Sequence, residues 1–293
     1  MMHVLLVSLY LLCLEPISET LADPNSYGFR PYRACRDAIA QCFCALKGKY
    51  SARWILDADI KACFDWINHD WLLENIPMDN QILRQWLKCG FMQQRKLFPT
   101  TNGTPQGGVA SPTLANMTLD GLEKAVKAVS RRQDKVNFIR YADDFVVTAS
   151  SKDHLKNVVI PAIEAFLSER GLSISEEKTR IVRLEQGFDF LGQNVRKYGD
   201  KLIIKPTKEN IRSFKEKVKS IIVEGRGWNA ESLINKLTPV NRGWANYHRY
   251  IQSSRTFSAV HKFINDALVK WAKRCHSNKT PKWILQRFFW TIC

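Results

Sequence analysis

Two clusters of aspartates stand where strands are expected. Asp57-Ala58-Asp59 closes the run Arg53–Ile60, which is short, apolar and β-favouring and reads as a buried strand. Residues two apart on a strand face the same side, so Asp57 and Asp59 can point at one site. The second cluster, Tyr141-Ala142-Asp143-Asp144, lies between Phe138-Ile139 and Phe145-Val146-Val147, two apolar runs that read as the arms of a hairpin. Adjacent carboxylates among apolar strands are costly unless something compensates their charge. Magnesium compensates them well, being a hard ion that binds carboxylates while keeping water and substrate phosphate oxygens. Two such ions about 4 Å apart can activate an attacking 3′-hydroxyl and stabilise a leaving pyrophosphate. Taken alone, Asp143-Asp144 fits equally well a turn whose aspartates hydrogen-bond locally. The Asp59 strand and the glycine-bearing loop Asn102–Gly108 favour the chemical reading.

Other elements must hold these carboxylates. The pattern predicts helices over Cys35–Lys47, 69–76 and 79–91. Ser111 reads as an N-cap, with Pro112 at the first helical position and the helix running to about Ala128. Ser151–Arg170 reads as one long helix ended by Gly171. Short strands fill 188–204. From Lys208 the periodicity is helical to the end, with breaks expected at Gly225-Arg226-Gly227, Pro239 and Pro281. The layout is therefore α/β first, then all-α and basic.

Charge separates the two parts. The chain of 293 residues carries a net +16, yet residues 1–194 hold 23 basic and 22 acidic residues, whereas 195–293 hold 21 and 6. One-sign charge on one module points to a polyanion. Nucleic acid fits better than a membrane, because the basic module has no long apolar face and its Trp and Tyr residues are scattered among the basic ones. Lys208, Arg212, Lys215 and Lys219 recur at helical spacing and form a stripe suited to a phosphate backbone. Arg242–Tyr250 interleaves Arg242, His248 and Arg249 with Trp244, Tyr247 and Tyr250. Such aromatics either stack on unpaired bases or form helix core, and core is the expectation for Trp244 and Tyr247. The eight cysteines are too scattered for a disulfide framework and hold no CxxC pair, which predicts reduced thiols in an intracellular protein. Val4–Leu14 has the length of a signal-peptide core but no basic flank, and a core helix or a truncated start suits it better.

Tyr141-Ala142-Asp143-Asp144 between apolar strands resembles the signature hairpin of reverse transcriptases, and the neighbouring motifs resemble the group II intron-encoded branch. Asn25-Ser26-Tyr27-Gly28-Phe29-Arg30-Pro31 resembles its finger-to-palm segment. Asp59-Ile60-Lys61-Ala62-Cys63-Phe64-Asp65 resembles the first palm motif, and Gly103-Thr104-Pro105-Gln106-Gly107-Gly108-Val109 with Ser111-Pro112 the nucleotide-binding motif. Gly171-Leu172-Ser173 through Glu177-Lys178-Thr179 and Phe188-Asp189-Phe190-Leu191-Gly192 resemble the later palm motifs. Asn241-Arg242-Gly243-Trp244-Ala245-Asn246-Tyr247 resembles the maturase-specific region.

The resemblance implies an α+β fold, with a right-hand polymerase palm of antiparallel sheet and packed helices over 25–192 and an all-α basic thumb with maturase-specific domain over 205–288. Residues 1–24 would be an atypical start, with the finger region mostly missing, and no endonuclease region would follow. It implies that Asp59, Asp143 and Asp144 hold two Mg2+ ions and that Asp57 lies outside the ligand set. Phe64 would gate the sugar against a 2′-hydroxyl, Gln106, Gly107 and Gly108 would contact the incoming nucleotide, and Lys178 would approach the triphosphate. Lys208, Arg212, Lys215, Lys219, Arg242 and Arg249 would meet RNA. The implied partners are group II intron RNA, an RNA template, a DNA primer and deoxynucleoside triphosphates, with no membrane, in the cytoplasm of a bacterium first and an organelle second. The competing expectation is an RNA-binding splicing maturase, or an inactive fragment, that makes no DNA.

Overall fold

The computed structural model describes residues 2–93, 96–98, 102–104 and 108–289. The chain forms two compact units, Met1–Phe188 with Arg196–Leu202, and Asp189–Val195 with Ile203–Cys293. Its strands are β1 (Trp54–Asp59), β2 (Phe91–Gln93), β3 (Lys96–Phe98), β4 (Asn137–Tyr141), β5 (Asp144–Ala149), β6 (Arg180–Arg183), β7 (Phe188–Phe190), β8 (Gln193–Tyr198) and β9 (Lys201–Pro206).

The first unit is built on an antiparallel sheet in the order β4-β5-β1-β6. Central β5 is buried along nearly its whole length, which is why Phe145-Val146-Val147 reads as a continuous apolar run and not as an alternation. The core gathers Leu56, Ala58, Phe138, Phe145 and Val147 from the sheet with Leu114, Leu119, Val126, Ile163 and Leu167 from helices. The helix Cys35–Leu46 packs on β4. The apolar start lies in a helix, Met2–Leu21, whose Leu11 and Leu14 enter the same core, as expected of a core helix. Among the described residues no helix is long and apolar enough to cross a membrane, and the seven described cysteines are free thiols.

Two helices of the first unit differ from expectation. The helix predicted from Ser111 to about Ala128 is two, Ser111–Leu119 and Leu122–Ala128. Asp120 leaves the helix to face buried arginines, Gly121 takes φ +96°, and the Asp23 carboxylate caps the new start by accepting from the Gly121 and Glu123 amides, each at 3.1 Å. Ala110, not Ser111, is the N-cap of the first of these. The helix predicted over Ser151–Arg170 is interrupted by a π turn at Leu155–Val159 before Ile160–Ser168. Pro161 has no N–H to give and its ring displaces the carbonyl one turn back, and the wider turn absorbs both effects. Gly171, at φ +75°, ends the helix, with the Leu172 amide closing onto Leu167 O at 2.9 Å.

The second unit packs the helices Lys208–Glu224, Ala230–His248, Ser254–Cys275 and Pro281–Phe288 around Phe214, Val218, Leu233, Leu237, Val260, Trp271 and Ile284. Thr207, Asn229 and Thr280 cap three of them through side-chain oxygens. Gly225–Gly227 forms the expected break as a 3-10 turn, and Pro281 begins a helix. Pro239 breaks nothing: the helix runs through it. Leu233 and Leu237 before it and Val240 and Trp244 after it pack against one core, which outweighs the single backbone bond that a proline removes.

Leu14 is 2% exposed and Leu12 68%. Leu14→Ala should therefore cost about 2–4 kcal/mol in urea unfolding, while Leu12→Ala stays within about 0.5 kcal/mol of the parent.

Candidate active site

Strand pairing brings the carboxylates together. In the antiparallel register Asp59, the last residue of β1, lies opposite Asp144, the first residue of β5. Ala142 and Asp143 form the two-residue turn between β4 and β5, and Ala142 takes φ +56°, a conformation such turns usually give to glycine. The segment before the helix Cys35–Leu46 straps the back of the hairpin. Asn25 O accepts from the Arg140 amide and Arg140 O from the Tyr27 amide, both at 2.9 Å. Gly28 lies so close that a Cβ on it would stand 2.3 Å from the Ala142 nitrogen.

Behind the hairpin is a buried polar network that the sequence did not announce. The Arg140 side chain is fully buried in the middle of an apolar strand. Its guanidinium donates to Ala142 O at 3.2 Å, Asn116 Oδ1 at 3.1 Å and Asp120 Oδ1 at 3.0 Å. Asp120 also pairs with Arg30, equally buried, which reaches Glu19 at 2.8 Å and Ser26 at 3.0 Å. Arg30 is thus a framework residue and turns no guanidinium to solvent. The signal available in the sequence was an arginine between apolar Ile139 and Tyr141.

Crowding shows in the acidities. The Asp144 carboxyl is pushed up to about 7, first by burial, then by a hydrogen bond with Asp59 and the charges of Asp143 and Asp59, with Lys178 opposing. Asp143 is raised by burial and by the Asp59 charge. Lys178 donates to Asp59 Oδ2 at 2.8 Å, and that bond and charge raise its own pKa. Its turn is clamped to the end of β1: Lys61 N donates to Ser173 O at 3.0 Å and Ser175 N to Asp59 O at 2.8 Å. Lys178 therefore meets the carboxylates, although its side chain is 65% exposed.

Asp57 shares a strand face with Asp59 but is engaged elsewhere. Arg180, its neighbour across β6, holds Asp57 Oδ2 with Nε and a terminal nitrogen, both at 2.9 Å. Among the described residues no group of three or more His, Cys, Asp or Glu side chains forms a ready metal cage. The donor chemistry nevertheless suits a hard cation: oxygen-only ligands, crowded enough to hold a proton near neutrality, with an ammonium already drawn to Asp59.

Phe64 lies on the short helix Cys63–Trp66, half-buried against the core and edge-on to Phe29 at 6.2 Å. The glycine loop docks onto this turn, with Thr104 N donating to Phe64 O at 2.6 Å and Gly103 N to Ile67 O at 2.8 Å. Gly103, at φ +75°, leaves no room for a side chain, since a Cβ would meet Phe64 O at 2.2 Å. Gln106 and Gly107 lie outside the described residues. Gly108 O accepts from Ser111 N at 3.3 Å at the entry to the next helix.

In the second unit Lys208, Arg212, Lys219, Arg242 and Arg249 are exposed. Lys215 is half-buried with its ammonium 5.2 Å from the Phe263 ring centre, Arg212 pairs with Glu209 at 3.6 Å, and Arg249 lies over the Tyr250 ring. Trp244 belongs to the core, stacked on Phe214 at 4.5 Å and donating to Asn210 at 2.7 Å. His248, grouped by sequence with the basic residues, is buried beside Asn210, and that burial lowers its pKa to about 4, so it is neutral near pH 7.

A carboxylate pair at the ends of the two central strands, a doubly acidic hairpin and a docked glycine loop define a polymerase palm. Residues 5–195 match the family Reverse transcriptase (RNA-dependent DNA polymerase), and the chain belongs to it. Residues 211–290 match the Group II intron, maturase-specific domain. The chain is similar to an uncharacterized 91 kDa protein in the cob intron of Schizosaccharomyces pombe, at 24% identity, covering 94% of this chain and 44% of that protein. It is similar also to the group II intron-encoded protein LtrA of Lactococcus lactis subsp. cremoris, at 27% identity, covering 62% of this chain and 41% of LtrA. The chain thus spans under half the length of these relatives. Among solved structures, apo telomerase from Candida tropicalis superposes with a TM-score of 0.54 at 12% identity, covering 97% of this chain and 57% of that one, a likeness of fold.

Two outcomes follow. The folded Asp144 binds its proton more tightly than the unfolded one, so the metal-free protein loses stability as pH rises from about 4 to about 7. Asp144→Asn removes that loss, and thermal unfolding without divalent cations should find it more stable than the parent above pH 7 by on the order of 1–2 kcal/mol after solvent screening, converging below pH 4. Arg140→Met should cost about 3–5 kcal/mol in urea unfolding, because it strands Asp120 without one of its two buried cations.

Proposed function

We propose that this chain is the palm and thumb portion of a group II intron-encoded RNA-directed DNA polymerase that also holds its intron RNA for splicing. The observation that carries the reading is Asp59 facing Asp144 across two strands, with Asp143 on the adjoining turn and Lys178 at their edge. Asp59, Asp143 and Asp144 would hold two Mg2+ ions. Few protein carboxylates are needed, because magnesium takes the rest of its shell from water and substrate phosphates. Bound there, the ions would lower the pKa of the primer 3′-hydroxyl and neutralise charge on the leaving pyrophosphate.

The residues of the chain do the remainder. Lys178, protonated at neutral pH, passes to the triphosphate and donates a proton to the departing pyrophosphate oxygen. The Phe64 ring lies under the sugar and excludes a 2′-hydroxyl, selecting deoxynucleoside triphosphates. Gln106, Gly107 and Gly108 line the incoming nucleotide, glycine permitting close backbone approach. The exposed cations Lys208, Arg212, Lys219, Arg242 and Arg249, with Lys215 beside them, follow phosphates of the intron RNA and of the RNA template with its DNA primer. Such a protein works where its intron is transcribed, a bacterial cytoplasm before an organelle.

Primer extension on an RNA template with deoxynucleotides and Mg2+ tests this reading. The parent should extend, and Asp143→Ala should lose at least about a thousandfold while binding RNA as before. Lys178→Ala should lose about 10²- to 10⁴-fold. Phe64→Ala should incorporate ribonucleotides. A second reading, a maturase that binds RNA and makes no DNA, is favoured by the separate basic unit. A folded parent that binds intron RNA and fails to extend would establish it.

A further inference from the structure

Just after the strap passes the hairpin, the chain makes two tight turns at Gly28-Phe29 and Pro31-Tyr32. Arginines fix both from inside. Arg30 is buried on Ser26, Glu19 and Asp120, and Arg33 donates to the carbonyls of Asp23, Pro24 and Ser26 at 3.3, 3.2 and 2.6 Å. With both cations turned inward, the aromatics between them are turned out: Phe29 is 56% exposed and Tyr32 wholly so.

Both aromatics also sit in the left-handed region, Phe29 at φ +56° and Tyr32 at φ +61°. In the turn Arg30–Arg33, closed by Arg33 N on Arg30 O at 3.4 Å, Pro31 occupies the first central position and Tyr32 the second. A proline there fixes a turn whose next residue needs positive φ, a place suited to glycine. A bulky side chain at that place strains the backbone, and strain of this kind gathers at ligand clamps. Full exposure means that burial of the ring gives nothing back to the fold. The fold alone would be served better by glycine.

The location gives the ring a use. Phe29 directly follows Gly28, which touches the hairpin turn, and its ring meets Phe64 edge-on at 6.2 Å. An exposed aromatic face that adjoins the Phe64 ring and follows the glycine packed on the hairpin turn suits an unpaired base, since each base has a π face and its stacking needs no particular sequence. Bases of a duplex are already stacked, so the free base near a polymerising site belongs to the strand being copied. We propose that Tyr32, with Phe29, forms a stacking subsite for an unpaired nucleobase of the template strand. This rests on the polymerase reading given above.

Tyr32→Gly separates the ring from the fold, because it removes the aromatic and relieves the strained φ together. The probe is an RNA template annealed to a DNA primer, with 2-aminopurine as its first unpaired template base. The parent should quench that fluorescence on binding. Tyr32→Gly should melt at or above the parent temperature, bind about tenfold more weakly and leave the probe unquenched, whereas Tyr32→Trp should restore quenching and affinity. Equal affinity and quenching in parent and Tyr32→Gly, with both extending the primer, would overturn the subsite and leave the polymerase reading intact. A parent that neither binds nor extends this substrate would overturn both.

Discussion

Carboxylates repel one another, and this site is built by forcing three of them into one neighbourhood. The register of β1 against β5 sets Asp59 opposite Asp144, and the two-residue turn leaves Asp143 beside them. Water alone screens such a group poorly once it is half-buried, so the free protein answers by holding a proton on Asp144 to about pH 7 and by drawing Lys178 onto Asp59. Both responses mark a place where positive charge is wanted. A bound cation would supply the positive charge that the proton and the lysine provide there.

Crowding of that kind needs a frame that will not relax. Much of the frame is apolar, in the buried length of β5, but the hairpin tip is fixed by polar groups. Arg140 crosses the back of the turn and donates to Ala142 O, and Asp120 ties Arg140 to Arg30 and so to the strap that carries Gly28 against the turn. Desolvating two guanidiniums is costly, and the network is favourable because nearly every donor finds a carboxylate, amide or carbonyl oxygen. It also explains two local departures from regularity. Asp120 leaves its helix to serve both arginines, and Asp23 caps the helix that starts again after Gly121.

The second unit solves a different problem, the presentation of charge on a scaffold that needs none of it for its core. Its helices close around apolar and aromatic side chains, with Trp244 stacked on Phe214 and His248 buried and neutral. Most of the lysines and arginines are then left at the surface. That separation of core from charge is what a helix with three- to four-residue spacing achieves without further devices.

Local rules in the sequence determined a good deal. The strand periodicity of Arg53–Ile60, the hairpin around Ala142-Asp143, the glycine stop at Gly171 and the concentration of charge after residue 195 are properties of neighbouring residues, and each can be read without knowing what packs on it. Asp59, Asp143, Asp144 and Lys178 were picked out by ordered motifs that resemble a known family, and the fold brings them near one another. Tertiary structure decided how two aspartates on one strand face are engaged: Arg180 on β6, more than a hundred residues away, pairs with Asp57, whereas Lys178 pairs with Asp59. It likewise decided that Arg30 and Arg140 are framework, that the helix through Pro239 continues, and that the one begun at Ser111 stops at Asp120. In each case the deciding partner is distant in sequence, and burial and charge depend on what the folded chain brings near, which no local pattern encodes.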